Sequence, residues 1–364
     1  MSDAPLVGLG IVGLGRWARA HAAAAGRTET ARLVSCFSRD PDRRAAFAAE
    51  FTLESAAESY EALLADPAVE AIIVSTPNDL HVEMALAAAA AGKPVLIDKP
   101  ISVDIPGGLA VLRAAAGGAR VGVAHHARRL AGHRTAQRWL ASGAAGIARL
   151  AHADFSNARG AQMKPDAWHR RVAGAEAGVL IQVGIHQVDT VLSLFGPPAA
   201  INARLGYQTM GPLADAAVVI ITHASGVVST VTSSWTTPSL YRVEIQAEGG
   251  NLRYRLDHGH WTSGDVDDQG TLTLDRDGEP ETVLDTGKGD PLAEQLEELA
   301  AAARGTGEME VDAAAGLRAM AVVVAAIRST ATRGGEIAIG ELLASEGATA
   351  EEVALLTEAH KEGS

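Results

Sequence analysis

The first forty residues hold an apolar run, a glycine turn and an alanine-rich stretch in that order, and the pattern then repeats. Residues 6–12 are apolar and short enough for a buried strand, Gly13-Leu14-Gly15-Arg16-Trp17-Ala18 follows, and residues 19–25 read as helix. A second strand at 32–37 leads into a helix over 41–51. Beyond it, 60–64 predicts a short helix, 71–74 a strand, 80–91 a helix ended by Gly92, and 94–97 another strand. Strands that alternate with helices at this spacing run parallel, because each return crosses over through a helix. Residues 1–126 are therefore expected to form an α/β unit, a doubly wound Rossmann sheet whose last strand lies near 120–124.

From about residue 127 the pattern changes. A helix over 132–141 precedes alternating runs at 148–155, 200–205, 216–223, 226–234, 241–248 and 252–256, which predict a large, open, mostly antiparallel sheet in an α+β domain of residues 127–310, built for substrate binding and oligomerisation. Asp290-Pro291 reads as the cap and first position of a helix with Leu292, Leu296 and Leu299 on one face. Residues 313–329 are too apolar to lie exposed, so the segment 311–340 is expected to pack back on the first domain, leaving 345–364 as an acidic, loosely ordered tail. An open sheet face needs covering, which predicts a homodimer or homotetramer.

Composition excludes several classes of function. A formal net charge of -13 disfavours nucleic acid and anionic membranes as partners. The single Cys36 can form no intramolecular disulfide, the N-terminus carries no basic leader, and no apolar run is read as long enough to span a bilayer, so a cytoplasmic location is expected. No Cys or His cluster has zinc spacing and no carboxylates are paired for glycosidic chemistry, so no metal is expected.

A glycine turn that opens a helix offers backbone N–H groups and a positive helix end to a pyrophosphate, with no side chain in the way. Gly13, Gly15 and Ala18 meet that need. An acid ending the second strand would hold the ribose 2′-hydroxyl of NAD, but this strand ends in Phe37-Ser38-Arg39, and Ser38 with Arg39 suits the 2′-phosphate of NADP. Arg39 as a solvated loop residue and Asp40 as the cap of the next helix is the bland alternative. Lys99 ends a central strand, where ligands of such sheets bind, and Pro100 turns the chain away at once; an ammonium there can stabilise an alkoxide as hydride leaves carbon. A surface lysine paired with Asp98 is the structural alternative.

Four ordered segments, GLGRWA, Ser75 to His81 (STPNDLH), Ala91 to Pro100 (AGKPVLIDKP) and Gly178 to Asp189 (GVLIQVGIHQVD), resemble the Gfo/Idh/MocA family of oxidoreductases over most of the chain, to about residue 340. The family usually has Glu-Lys-Pro where this chain has Asp98-Lys99-Pro100. The resemblance implies an NAD(P)-dependent enzyme whose cofactor groove includes Arg16, Trp17, Ser75, Thr76, Pro77, Asn78, His81, Asp98 and Pro100, with Trp168, His169 and Arg170 closing over the nicotinamide. It also implies that His186 is catalytic, and an imidazole of ordinary pKa can take a hydroxyl proton at neutral pH. Gln182 and Asp189, one turn before His186 and three residues after it, are expected to share its helical face toward substrate. The family commonly has an acid where Gln182 stands, and an amide can position a hydroxyl but cannot accept its proton. Arg128 and Arg129 are read as a clamp for a polyol hydroxyl or a carboxylate. The expected substrate is a sugar, cyclitol or similar polyol. A carboxylated cis-dihydrodiol and a non-catalytic cofactor-binding regulator are the alternatives.

Overall fold

The computed structural model describes residues 5–164, 166–170, 175–256 and 270–359. Six parallel strands form the first sheet: β1 (Val7–Val12), β2 (Ala31–Phe37), β3 (Ser55–Ala56), β4 (Ala71–Val74), β5 (Val95–Ile97) and β6 (Val121–Val123), in the order β3-β2-β1-β4-β5-β6. All residues of β1, β4, β5 and β6 are buried, as a sheet covered on both faces demands. The covering helices are α1 (Arg16–Ala25), α2 (Pro41–Glu50), α3 (Tyr60–Ala65), α4 (His81–Ala90) and α5 (Ile105–Ala116). Their starts are written locally: Asp40 accepts from the Asp42 and Arg43 amides ahead of Pro41, and Asp104 accepts from the Gly107 amide. The strand order reverses between β1 and β4, which opens a crevice at the carboxyl edge.

A helix, α6 (Ala131–Ala141), leads to a second, nine-stranded sheet containing β7 (Ala148–Ser156), β8 (Pro198–Gly206), β9 (Ala216–His223), β10 (Val228–Ser234), β11 (Leu240–Ala247), β12 (Gly250–Leu256), β13 (Thr271–Asp275), β14 (Thr282–Leu284) and β15 (Ile337–Ala338). Every pairing in it is antiparallel except β7 with β10. One face packs under α7 (Ile185–Phe195), while β9 turns Val218 and Ile220 outward, 48% and 40% exposed, between buried neighbours. The last elements are α8 (Pro291–Arg304), lying on α1, then α9 (Ala313–Ala331), α10 (Ile339–Ser345) and α11 (Ala350–Thr357).

Two expectations are corrected here. One helix, α9, does have the length and apolarity to cross a membrane, and 67% of its most apolar window is buried inside the protein, against α5 and β6 of the first sheet and against β8 and α7 of the second domain. The acidic tail is not loose through its length either. Thr349 and Glu352 close a reciprocal capping box that starts α11, and Arg113 of α5 pairs with Glu352 at 2.8 Å. Residues 360–364 of that tail lie outside the described residues.

Candidate active site

The glycine turn is built by necessity. Gly13 sits at φ +83°, and a Cβ there would lie 2.4 Å from the Ser75 carbonyl oxygen, so β1 and β4 can close on each other only around glycine. Around Gly15 a Cβ would meet nothing within 4 Å, and as N-cap it supplies no side chain to the first amides of α1. Those amides face a cleft of about 1330 Å³ between the carboxyl edge of the first sheet and the start of α7.

Around the first-sheet side of this cleft stand Gly13, Gly15, Arg16, Trp17, Ser38, Arg39, Ser75, Thr76, Pro77, Asn78, His81, Asp98 and Lys99. Ala18 and Pro100 do not line it. Ala18 is wholly buried in the packing of α1, and Pro100, joined to Lys99 by a cis peptide, contributes a carbonyl that faces the His81 ring at 2.6 Å. The other nitrogen of His81 faces the Thr76 carbonyl at 3.0 Å, so this histidine braces two cofactor-side loops. Ser38 and Arg39 share the wall with Arg43, while the Asp40 carboxylate is committed to capping α2 at 3.0 and 3.1 Å.

The residues present fit a dinucleotide. Thr76 Oγ1 and Asn78 Nδ2 are buried, line the cleft and have no hydrogen-bond partner among the described residues, which leaves one acceptor-donor hydroxyl and one amide donor for a bound polar ligand.

Lys99 occupies the junction between the domains. Its ammonium donates to the backbone carbonyl of Gln182 at 2.8 Å. Burial lowers its pKa to about 8, Asp98 opposes that shift, and Arg159 and Arg16 add to it. Gln182 belongs to a π-helical turn, Leu180–Gly184, that precedes α7 and widens the helix where it meets the cleft. Gly178 allows the chain into this turn: it sits at φ +48°, and a Cβ would lie 2.0 Å from the Ala214 carbonyl oxygen.

His186 lines the cleft, with the rings of His126, Phe155 and His125 at 5.3, 6.0 and 6.3 Å. Burial, with Lys99, His126 and His125 beside it, pushes its pKa well below the ordinary imidazole value. The neutral imidazole is thereby favoured, which weighs against the expectation of a histidine titrating near neutrality.

Three predicted substrate contacts are also corrected. Gln182 and His186 face the cleft, but Asp189 does not share that exposure. It is buried and binds Arg128 through both carboxylate oxygens, at 2.9 and 2.5 Å. Arg129, 2% exposed, is tied to Glu298 at 2.6 Å and lies 3.6 Å from Glu310. Neither arginine reaches the cleft, because buried guanidinium groups are held by carboxylates from other elements.

Trp168 and His169 do line the cleft, stacked at 3.8 Å, whereas Arg170 turns to the Met210 carbonyl. Sequence reasoning missed Arg159, Asn157 and Lys164, which face the cleft from the loop after β7, and His126, which lay inside the HHARR run passed over in favour of its arginines. Charge and a position just beyond a strand end were the only signals for Arg159.

A doubly wound sheet with this glycine turn, joined across a cleft to an open antiparallel sheet, defines an NAD(P)-binding oxidoreductase. The chain belongs to the Gfo/Idh/MocA family: the oxidoreductase family with an NAD-binding Rossmann fold matches residues 7–125, and the GFO/IDH/MocA C-terminal domain matches residues 133–253. It is 29% identical over 334 residues to the 1,5-anhydro-D-fructose reductase of Ensifer adhaerens, covering 89% of this chain and 96% of that one. It is 31% identical over 149 residues to a scyllo-inositol 2-dehydrogenase (NADP(+)) of Bacillus subtilis, covering 41% of this chain and 42% of that one. A solved structure from Desulfitobacterium hafniense, assigned as an NADPH-dependent oxidoreductase, superposes with a TM-score of 0.89 at 30% identity over 93% of this chain and 99% of the other.

Proposed function

We propose that this NAD(P)-dependent oxidoreductase interconverts a secondary alcohol and a ketone on a sugar, cyclitol or similar polyol, with Lys99 exchanging the proton and His186 holding the reacting oxygen. The observation that carries the reading is the placement of Lys99. Its ammonium, with a pKa near 8, faces the same cleft as the glycine turn and is fixed by the Gln182 carbonyl. The bound nicotinamide supplies or accepts the hydride. In the oxidative direction neutral Lys99 takes the hydroxyl proton as the C–H bond breaks; in the reductive direction the ammonium returns it to the carbonyl oxygen. Neutral His186 donates or accepts a hydrogen bond at that oxygen without itself ionising. The Gln182 side chain orients a neighbouring hydroxyl.

Support for a polyol comes from the relatives, whose names give an anhydro-fructose and an inositol as substrates. The carboxylated cis-dihydrodiol loses its motive, since Arg128 and Arg129 are committed to Asp189 and Glu298. NADP is the cofactor favoured here, on the strength of Ser38 and Arg39 at the wall and the engagement of Asp40. Following nicotinamide absorbance across sugars, cyclitols, dihydrodiols and their ketones tests the proposal. Turnover on at least one polyol is expected, and tight cofactor binding with no turnover on the whole panel would replace the enzyme by a regulator.

A further inference from the structure

Asp98 stands next to Lys99, yet the two do not bond. Each oxygen of the Asp98 carboxylate is held toward another partner: Oδ1 lies 2.8 Å from Nε2 of His21, and Oδ2 accepts from the Ser75 hydroxyl at 2.5 Å. His21 comes from α1, is wholly buried, and is met on its far side by the Gln295 amide of α8 at 3.4 Å from Nδ1. An amide that donates to Nδ1 leaves Nε2 as the protonated nitrogen, aimed at Asp98. Lys99, denied the carboxylate, donates to the Gln182 carbonyl of the opposite domain instead.

We propose that His21, oriented by Gln295, is a positioning residue that, with Ser75, occupies both oxygens of Asp98 and so keeps this carboxylate from closing an ion pair with the Lys99 ammonium. The inference rests on Lys99 as the proton-exchanging group. An aspartate at this place is one methylene shorter than the glutamate usual in such chains, and the clasp from α1 and from Ser75, just past the end of β4, holds that shorter carboxylate back. The groups around Lys99 agree with the arrangement. Arg16 from the glycine turn, Arg159 from the second domain, the buried His81, His125 and His186 and the half-buried His169 all act on it or feel its charge, and Asp98 is the carboxylate that opposes its depressed pKa. A direct ion pair would favour the ammonium far more strongly and leave no neutral amine to accept a proton near neutrality.

The test reads Lys99 itself and needs no substrate. The chain has five lysines, so protein grown with [ε-13C]lysine gives a tractable spectrum in which Lys99→Met identifies the resonance. Lys99 of the unmutated protein should titrate near pH 8. In His21→Leu the freed oxygen turns to the ammonium, and the titration should move up by at least a full pH unit. In His21→Gln, which keeps a donor facing Asp98, it should stay close to the original. Ser75→Ala frees the other oxygen and should move it in the same upward direction, which keeps the idea testable if His21→Leu does not fold. An unchanged or lowered Lys99 titration in His21→Leu or Ser75→Ala overturns the proposal. Absence of turnover on every polyol, with these shifts intact, would instead count against the functional reading alone.

Discussion

Lowering the pH from 7 to 5 should destabilise this protein by several kcal/mol, through buried histidines. His125 is held to about 4, His126 to about 3 and His133 to about 3, in each case by burial first. A depressed imidazole stays neutral in the folded state, while the unfolded chain binds a proton near pH 6.5. The stability these groups contribute is complete above pH 6.5 and is lost as the pH falls toward their folded values. At pH 5 each has cost about 2 kcal/mol relative to pH 7, from roughly 1.4 kcal/mol per pH unit below 6.5, so the three together remove about 6 kcal/mol. Asp98 and Asp215, held below the ordinary carboxylate range, act only at lower pH. Urea unfolding followed by tryptophan fluorescence at half-unit steps measures the slope, expected at three or more protons taken up on unfolding at pH 5, since His169, held to about 4, and His186, held well below the ordinary imidazole value, add to the same uptake. His133 is the control that isolates one group. It lies in α6 with its Nε2 2.7 Å from the Tyr241 hydroxyl, away from the cleft, and His133→Phe should reduce the slope by about one proton. A stability that is flat from pH 7 to 5, or a slope untouched by His133→Phe, refutes the reasoning.

Lys99→Met keeps the aliphatic stem and removes the ammonium, so folding and cofactor affinity should survive while turnover falls by at least two orders of magnitude; stopped assays with a fluorescence cofactor titration read both. In the unmutated enzyme oxidation should rise with pH through about 8, where Lys99 loses its proton, and reduction should fall over the same range, a profile that His186→Asn should lower in height without moving. Arg39→Ala should weaken NADP(H) relative to NAD(H) by roughly 1.5–3 kcal/mol, seen as a loss of preference in paired titrations, and equal affinities in the unmutated protein would remove the basis for it. Arg128→Met leaves Asp189 buried without its partner and should cost about 3–5 kcal/mol of stability with little change in the Michaelis constant. A large rise in that constant with stability intact would return Arg128 to the substrate pocket.

The parts of this molecule legible in the sequence are those fixed by neighbours along the chain. β1, β4 and β5 are continuous buried runs bounded by turn residues, and the glycine turn needs only Gly13 and the start of α1, so strand, turn and helix follow from local pattern. β14 gave no such signal: of its three residues none is buried, and Val283 is 70% exposed. The capping box that starts α11 was written in Thr349 and Glu352, but the acidic composition around it obscured a helix with only Leu356 fully inside. Site electrostatics were harder still, because their partners are remote. Arg128 meets an acid 61 positions away and Arg129 one 169 positions away, so nothing beside HHARR marks these arginines as spent, whereas Arg159 makes no ion pair among the described residues and borders the cleft. The same distance explains Gln182. Read as a side chain, it looked like the loss of an acid and hence of a proton route. The contact it makes with Lys99 runs through its backbone carbonyl, which every residue type possesses, and which the π-helical turn and Gly178 bring to the ammonium. An exchange of acid for amide at this position therefore leaves the anchor of Lys99 intact and changes only what the side chain offers a substrate hydroxyl.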